Sequence, residues 1–146
     1  MDLQALTDLE QIRQLKARYF RLMDQRKWDE WAHVFTADAV ATFKVAHRES
    51  RYEGRAAVIK SVQEFMADAV SAHQGFMPEI TLTGLTTAKG IWAMFDMVRK
   101  PATTLHGYGH YEEEYVKEGG DWKIKSLLLT RLHVEIVPNA PESAQG

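Results

Sequence analysis

The chain has 146 residues, of which 45% are hydrophobic and 26% charged, values typical of one globular domain with a single core. The absence of cysteine excludes disulfide scaffolds, thiol catalysis and cysteine-ligated metal sites. The net charge of -2, with both signs interspersed, gives no electrostatic reason to expect nucleic acid or a membrane surface as a partner. With no basic-then-apolar leader and no apolar run of about 20 residues, we expect a cytoplasmic protein.

The first predicted element is an amphipathic helix that begins near Thr7 and ends near Gln25. Thr7 and Glu10 have the spacing of a capping box. The residues that recur three and four apart form one apolar stripe: Ile12, Leu15, Tyr19, Leu22 and Met23. We therefore expect this face of the helix to be buried.

Two polar residues of this helix occupy unusual positions. Tyr19 lies within the apolar stripe, and Asp24 lies at its edge, one turn after Phe20. Asp24 is expected to be half-buried, and a carboxylate in such a place needs a partner. Tyr19 alone is compatible with a core tyrosine, so its role depends on the neighbouring residues.

Three further elements are predicted before residue 76. A short second helix carries Trp28 and Trp31, which we expect in the core. A strand follows from 39 to 45, where apolar residues alternate. After the polar run 47–50, a third helix is predicted, and its apolar stripe leads to His73 at its C-terminal end. The imidazole would then enter the interior, or else contact only the last helical carbonyls.

The second half of the chain is predicted to be strands, because it is rich in β-branched and aromatic residues. Short connections between them indicate an antiparallel meander. The fold class is therefore α+β, with three N-terminal-half helices on one face of a curved antiparallel β-sheet. We expect one domain, 1–137, and a flexible C-terminal tail, 138–146. The predicted strands are 76–85, 91–100, 104–117 and 122–137.

Asp96 stands in the otherwise apolar strand segment IWAMFDMV. It shares a face with Trp92 and Met94, so it would be the polar member of an apolar wall. The alternative is a structural aspartate bonded to a nearby tyrosine or backbone amide. In either case the carboxylate must be paired or functional.

Three alternating residues, His106, Tyr108 and His110, share a face of the next strand. We predict no metal site there, because a pair of histidines would need further ligands from elsewhere. They are expected to line a pocket or lie on the surface, and the glycines between them suggest close backbone approach. His133 and Arg131 are expected together on an exposed or interface face.

Several segments together resemble the SnoaL-like family of the nuclear transport factor 2-like superfold. The resemblance spans Leu6 to Val137 and is nearest to the branch of bile acid 7α-dehydratase and scytalone dehydratase. It implies a cone-shaped curved sheet wrapped on helices, a deep apolar pocket and no cofactor. The segments are RYFRLMDQRKWDEWAHVFTADAV, YEGRAAVIKSV, AHQGFMPEI, AKGIWAMFDMV, GYGHYEEEYVKEGGDWKI and LTRLHVE.

The resemblance also implies a catalytic set consisting of Tyr19, Asp24, His73 and Asp96. We expect a cofactor-free dehydratase for a hydrophobic cyclic hydroxy-carbonyl compound, either steroid-like or of the polyketide or aromatic kind. His73 would be the base, Asp24 or Asp96 would orient it, and Tyr19 would donate to the carbonyl. The expected substrate contacts are Trp92, Met94, Tyr108, His110 and Phe20.

Two other functions fit the same residues. An isomerase or cyclase would use the same base and donor without a leaving group, and a carrier would bind apolar molecules without turning them over. We also expect a homodimer or homotrimer formed through the exposed face of the sheet, with the run Leu127 to Leu129 at the interface.

Overall fold

Among the residues that the structure describes, six strands form one curved, open sheet, and three helices accompany it. The computed structural model describes residues 2–45 and 47–141. The predicted α+β class is confirmed. In chain order the elements are α1 (Leu3–Asp24), α2 (Trp28–Trp31), a 3₁₀ turn (Ala32–Val34), β1 (Phe35–Val45), β2 (Arg48–Glu53), α3 (Arg55–Phe65), β3 (Val70–Leu82), β4 (Thr87–Arg99), β5 (Thr103–Glu118) and β6 (Asp121–Pro138).

Helix α1 begins earlier than predicted. Its N-cap is Asp2, whose side chain accepts a hydrogen bond from the amide of Ala5 at 2.8 Å. Thr7 instead donates within the helix to the Leu3 carbonyl, so the predicted capping box is wrong. The predicted apolar stripe is buried throughout. No helix in the described ranges is both long and apolar enough to cross a membrane.

The sheet has the strand order β2-β1-β6-β5-β4-β3. Strands β3 to β6 form the predicted antiparallel meander. The prediction of a purely antiparallel sheet is wrong at one place, since β1 pairs with β6 in parallel. Strand β2 was not predicted because its sequence, RESRYE, is a short polar edge strand without apolar alternation.

The third helix is shorter than its apolar stripe suggested. It ends at Phe65, and His73 lies in strand β3 rather than at the end of the helix. The spacing of four from Ala69 to His73 resembled a continuing helix. The backbone from Val70 onward pairs instead with β4, which satisfies its hydrogen-bonding groups. The imidazole still reaches the interior, but from a strand.

Aromatic and aliphatic side chains from α1, the short helix and the inner face of the sheet form the core. Trp31 is fully buried, as predicted, and Trp28 packs against the core from its edge. Leu127 and Leu129 also belong to the core. The predicted interface role of this run is therefore wrong for both leucines, because alternation along β6 turns them inward.

The first two residues of the predicted tail are held by the sheet. Pro138 is the last residue of β6, and the Asn139 amide N–H donates to the Ala102 carbonyl at 2.8 Å. The Asn139 side chain also accepts from Thr104 at 2.5 Å. The last part of the predicted tail, 142–146, lies outside the described residues.

Candidate active site

A row of directly paired residues crosses the inner face of the sheet. His73 in β3 lies opposite Asp96 in β4, and Asp96 lies opposite Gly107 in β5. His73 and Asp96 are both buried, and Asp96 is only 2% exposed. The pairing register therefore brings the predicted histidine and the predicted strand aspartate together.

Asp24, the last residue of α1, completes the row from the helix side. Its Oδ1 lies 2.7 Å from His73 Nδ1, and its Oδ2 accepts from the His73 backbone N–H at 2.8 Å. Two contacts to one residue fix both the ring and the strand relative to the helix. The carboxylate at Nδ1 favours the tautomer with the proton on that nitrogen, which leaves Nε2 as the basic atom. Asp24, rather than Asp96, is thus the residue that orients His73.

Asp96 is held by Arg131. The guanidinium donates two hydrogen bonds to the carboxylate, Nη1 to Oδ1 at 2.7 Å and Nη2 to Oδ2 at 2.8 Å. His73 Nε2 lies 3.7 Å from Asp96 Oδ2, beyond ordinary hydrogen-bond distance. A bidentate arginine balances the buried negative charge, so Nε2 is not committed to Asp96.

Arg131 was missed by sequence reasoning, which placed it on an exposed face with His133. A β-bulge explains the error, because Gly109 pairs with Arg131 while Tyr108 pairs with His133, leaving Leu132 as the extra residue. The bulge turns Arg131 inward and His133 outward.

Gly107 makes room for the arginine. A Cβ atom at Gly107 would clash with Arg131 Nη1 and with Asp96 Oδ1. The glycines of the HGYGH segment were predicted to permit close approach. The space at Gly107 is occupied by the guanidinium and carboxylate of the site, and a Cβ at Gly109 would meet the Thr130 backbone.

Tyr19 also lines the site, and Tyr111 stands beside it as a second phenol. Their ring centroids are 5.7 Å apart in an edge-to-face arrangement. Burial, followed by the neighbouring Tyr111 and Glu113, raises the pKa of Tyr19 well above 10.0. Burial likewise raises the pKa of Tyr111. Both phenols therefore remain protonated hydrogen-bond donors at neutral pH. Tyr111 was not predicted as a site residue.

Arg26 and Ser71 support Asp24 from behind. Ser71 Oγ donates to Asp24 Oδ1 at 2.9 Å, and Arg26 Nη1 donates to Ser71 Oγ at 2.8 Å. Arg26 Nη2 also donates to the Ala69 carbonyl at 2.5 Å. The Arg26 backbone has a positive φ of 62°, which is uncommon for a residue with a side chain. This conformation at the end of α1 lets one arginine connect the helix to the start of β3.

An apolar cavity of about 410 Å³ adjoins these residues. Tyr19, His73, Asp96 and Arg131 line it together, whereas Asp24 stands behind His73. Tyr19 and His73 thus line one space. The other lining residues are Met23, Phe43, Val45, Arg48, Ser50, Tyr52, Ser61, Val62, Phe65, Met66, Leu105, Tyr111 and Leu129.

The five predicted substrate contacts are absent from the lining of this cavity. Phe20, Trp92 and Met94 are buried in the core, because the inner face of β4 is covered by α1 at their level. Tyr108 lies on the outer face of the sheet, stacked on His133, and is 41% exposed. His110 is two residues further along the same outer face. We therefore correct this prediction for all five residues.

A second buried charged pair lies behind the two phenols. Lys16 Nζ is 2.7 Å from Glu113 Oε2, and neither side chain is exposed. The ammonium is 3.7 Å from the Tyr19 ring centroid and 3.6 Å from that of Tyr111. Burial lowers the pKa of Lys16 to about 8, although Glu113 opposes the shift. Lys16 lies three residues before Tyr19 on the buried side of α1, and the sequence analysis did not single it out.

The site thus combines an oriented histidine, protonated phenols and a buried arginine next to an apolar space. In the part of the chain that the structure describes, Arg131 Nε is buried without a hydrogen-bond partner. Such an arrangement can take a proton from carbon and stabilise the negative charge that develops on an adjacent oxygen.

Comparison with known proteins gives a consistent picture of the fold. Residues 4–127 match the family described as the SnoaL-like domain. A candidate scytalone dehydratase from Novosphingobium aromaticivorans superposes with a TM-score of 0.84 at 20% identity, covering 99% of this chain and 100% of that one. A hexachlorocyclohexane dehydrochlorinase from Novosphingobium barchaimii has a TM-score of 0.80 at 19% identity, covering 96% of this chain and 95% of that one. At these identities the structural likeness establishes the fold alone.

Proposed function

The chain belongs to the SnoaL-like domain family, and on this premise we propose that it is a cofactor-free dehydratase. The proposed substrate is a hydrophobic cyclic hydroxy-carbonyl compound, steroid-like or aromatic. The observation that carries the proposal is that His73, with Nδ1 occupied by Asp24, lines the same apolar cavity as Tyr19. The names of two structural neighbours, a candidate scytalone dehydratase and a dehydrochlorinase, agree with elimination chemistry.

In the first step His73 Nε2 takes the proton from the carbon next to the carbonyl. The C–H electron pair forms a carbon–carbon double bond, and the carbonyl oxygen becomes an enolate. Asp24 stabilises the imidazolium that results, because its carboxylate is already bonded to Nδ1 at 2.7 Å.

Tyr19 stabilises the enolate by donating its phenolic proton in a hydrogen bond. The phenol is suited to this role because burial raises its pKa, so it donates without ionising. Arg131 also lines the cavity, and each of its terminal nitrogens keeps one N–H beyond the bond to Asp96, which makes it a second candidate donor.

In the second step the enolate oxygen re-forms the carbonyl group. The electron pair of the enolate double bond then forms a new double bond to the neighbouring carbon, whose bond to its hydroxyl group breaks. The departing oxygen takes the proton from the His73 imidazolium and leaves as water. His73 is then neutral again, and the product is the unsaturated carbonyl compound. Atoms and electrons balance over these two reaction steps without an electron acceptor or a metal ion.

The proposal can be tested with a panel of cyclic β-hydroxy ketones of one to four rings, with products followed by mass spectrometry. We expect at least one member to lose the mass of one water. The variant His73→Ala should reduce this rate by about 10²- to 10⁴-fold, whereas His106→Ala, on the outer face, should not. Full turnover by the His73 variant would refute the assignment of the base.

Isomerisation or cyclisation is the second candidate, because the same base and donor would suffice without a leaving group. Product mass separates the reactions, since isomerisation conserves mass. A non-catalytic carrier is the third candidate, supported by the apolar lining alone. It would be favoured if panel members bind, none is transformed, and His73→Ala binds them as tightly as the wild type.

We also propose that copies associate through the outer face of the sheet. Phe76, Ile91 and Tyr108 are exposed there by 43%, 38% and 41%. Large apolar side chains on one face are typical of an interaction surface. A monomeric mass in native mass spectrometry would contradict both the dimer and the trimer.

A further inference from the structure

The mouth of the cavity lies at the β1–β2 hairpin. Val45 and Phe65 line the cavity and are 37% and 49% exposed, and Arg48 and Ser50 are also exposed. Tyr19, His73 and Asp96, by contrast, are buried. The cavity therefore has a buried reactive end and an exposed mouth.

Alternation along β2 turns Arg48 toward the cavity. Arg48 pairs with Val45, and Ser50 pairs with Phe43, and all four residues line the cavity. Arg51 belongs to the opposite face of the same strand, where its Nε lies 3.1 Å from Glu53. The hairpin thus presents one arginine to the cavity and another to solvent.

The charges that line the cavity are unevenly matched. At the buried end, Arg131 and Asp96 neutralise each other at 2.7 Å. At the mouth, Arg48 forms no ion pair and no side-chain hydrogen bond within ranges 2–45 and 47–141, and no acidic side chain lines that end of the cavity. The apolar space therefore ends in one uncompensated positive charge, next to the Ser50 hydroxyl.

From this geometry we propose that the cavity binds molecules with an apolar body and a carboxylate, the carboxylate lying at the mouth on Arg48. The inference rests on the proposed function insofar as such a molecule is the substrate, with its reacting ring at His73. A guanidinium binds a carboxylate through two parallel N–H donors, which suits recognition of a terminal acid.

The size of the effect follows from the exposure of Arg48. A charge-assisted hydrogen bond in a dry site is strong, but water and salt screen one at an exposed rim. We therefore expect Arg48 to favour the carboxylate by about fivefold to tenfold rather than by orders of magnitude. Most of the affinity comes from the apolar body.

The test compares two probes that share one apolar body, cyclohexanebutanoate and the neutral cyclohexanebutanamide. Dissociation constants are measured by NMR titration of the full chain at low ionic strength, at neutral pH. The wild type should bind the carboxylate about fivefold to tenfold more tightly than the amide. The variant Arg48→Gln should lose this preference while its affinity for the amide stays unchanged.

Arg51→Gln is the matched control, because it removes an arginine from the same strand on the opposite face. It should keep the preference for the carboxylate, and raising the salt concentration should weaken that preference in the wild type. Equal binding of both probes by the wild type, or an undiminished preference in Arg48→Gln, would overturn the proposal. Since no turnover is measured, a failure of the dehydratase proposal would leave this result unaffected.

Discussion

Two of the buried clusters of polar and charged side chains differ in which atoms they leave available to a ligand. The open cluster consists of Asp24, His73, Asp96 and Arg131, and three of its members line the cavity. The sealed cluster consists of Lys16, Glu113, Tyr115 and Trp92, and none of its members does. Both are held by short hydrogen bonds, so burial and charge alone do not distinguish them.

Their hydrogen bonds show why one cluster can be catalytic. In the sealed cluster, Tyr115 donates to Glu113 at 2.7 Å and accepts from Trp92 Nε1 at 2.9 Å, and Lys16 lies between two aromatic rings. The members of this cluster therefore bond to one another rather than to a ligand. In the open cluster, His73 Nε2 has no partner at hydrogen-bond distance in the part of the chain described. A buried charge becomes a candidate for chemistry when an atom beside it remains available to a ligand.

The largest expected effect is on the open cluster. Asp24→Asn should lower turnover by about 10²- to 10⁴-fold, because the amide NH₂ can donate to Nδ1 and thereby favour the proton on Nε2. The base would then be blocked. Steady-state kinetics with a substrate from the ketone panel measures the loss, and circular dichroism checks the fold. Near-normal turnover would mean that Asp24 has only a structural role.

The sealed cluster should respond through stability instead. Glu113→Ala leaves the Lys16 ammonium buried without its counter-charge, which typically costs about 3–5 kcal/mol. Urea unfolding gives the free energy directly. If the variant loses less than about 1 kcal/mol, the pair contributes little and the comparison between the clusters fails.

A smaller effect is expected from Gly107→Ala. The added methyl would occupy the space of the Arg131 guanidinium and the Asp96 carboxylate, and overpacking of this kind costs about 1–3 kcal/mol. Turnover should fall as well, because Asp96 and Arg131 must move. Stability and turnover should therefore fall together in Gly107→Ala. This distinguishes the open cluster from the sealed one, because Glu113→Ala lowers stability at a place outside the site. Unchanged stability and turnover would show that Arg131 does not occupy this place.

The last expected effect is a dependence on pH. The pKa of Lys16 is about 8 in the folded protein and 10.5 ordinarily, so between these values the unfolded chain holds more protons. The contribution of Lys16 to stability therefore rises with pH across this window. The wild type should gain stability relative to Lys16→Met/Glu113→Gln between pH 8 and 10.5, as measured by thermal unfolding. A constant or shrinking difference would mean that Lys16 keeps an ordinary pKa.

Much of the fold could be predicted because it depends on local periodicity. The α1 stripe and the strands β3 to β6 follow from spacings of three to four and of two residues. The polar edge strand β2 and the parallel pairing of β1 with β6 carried no such pattern. His73 shows where local periodicity misleads. Its helical spacing from Ala69 predicted the end of a helix, but the residue lies in a strand that pairs with β4.

The sequence by itself determined that Tyr19 and Asp24 would stand on one helix, and that a carboxylate in an apolar strand would need a partner. Only the tertiary structure decided which partners they have. The β5–β6 register, shifted by one bulged residue, turns Arg131 inward to Asp96 and sends His133 outward. Such a bulge depends on how two strands pair rather than on the composition of either, so no local pattern predicts it. The packing of α1 against β3 decided the partner of His73, because it places the Asp24 carboxylate at hydrogen-bond distance from the imidazole. Asp96 is instead bonded to Arg131.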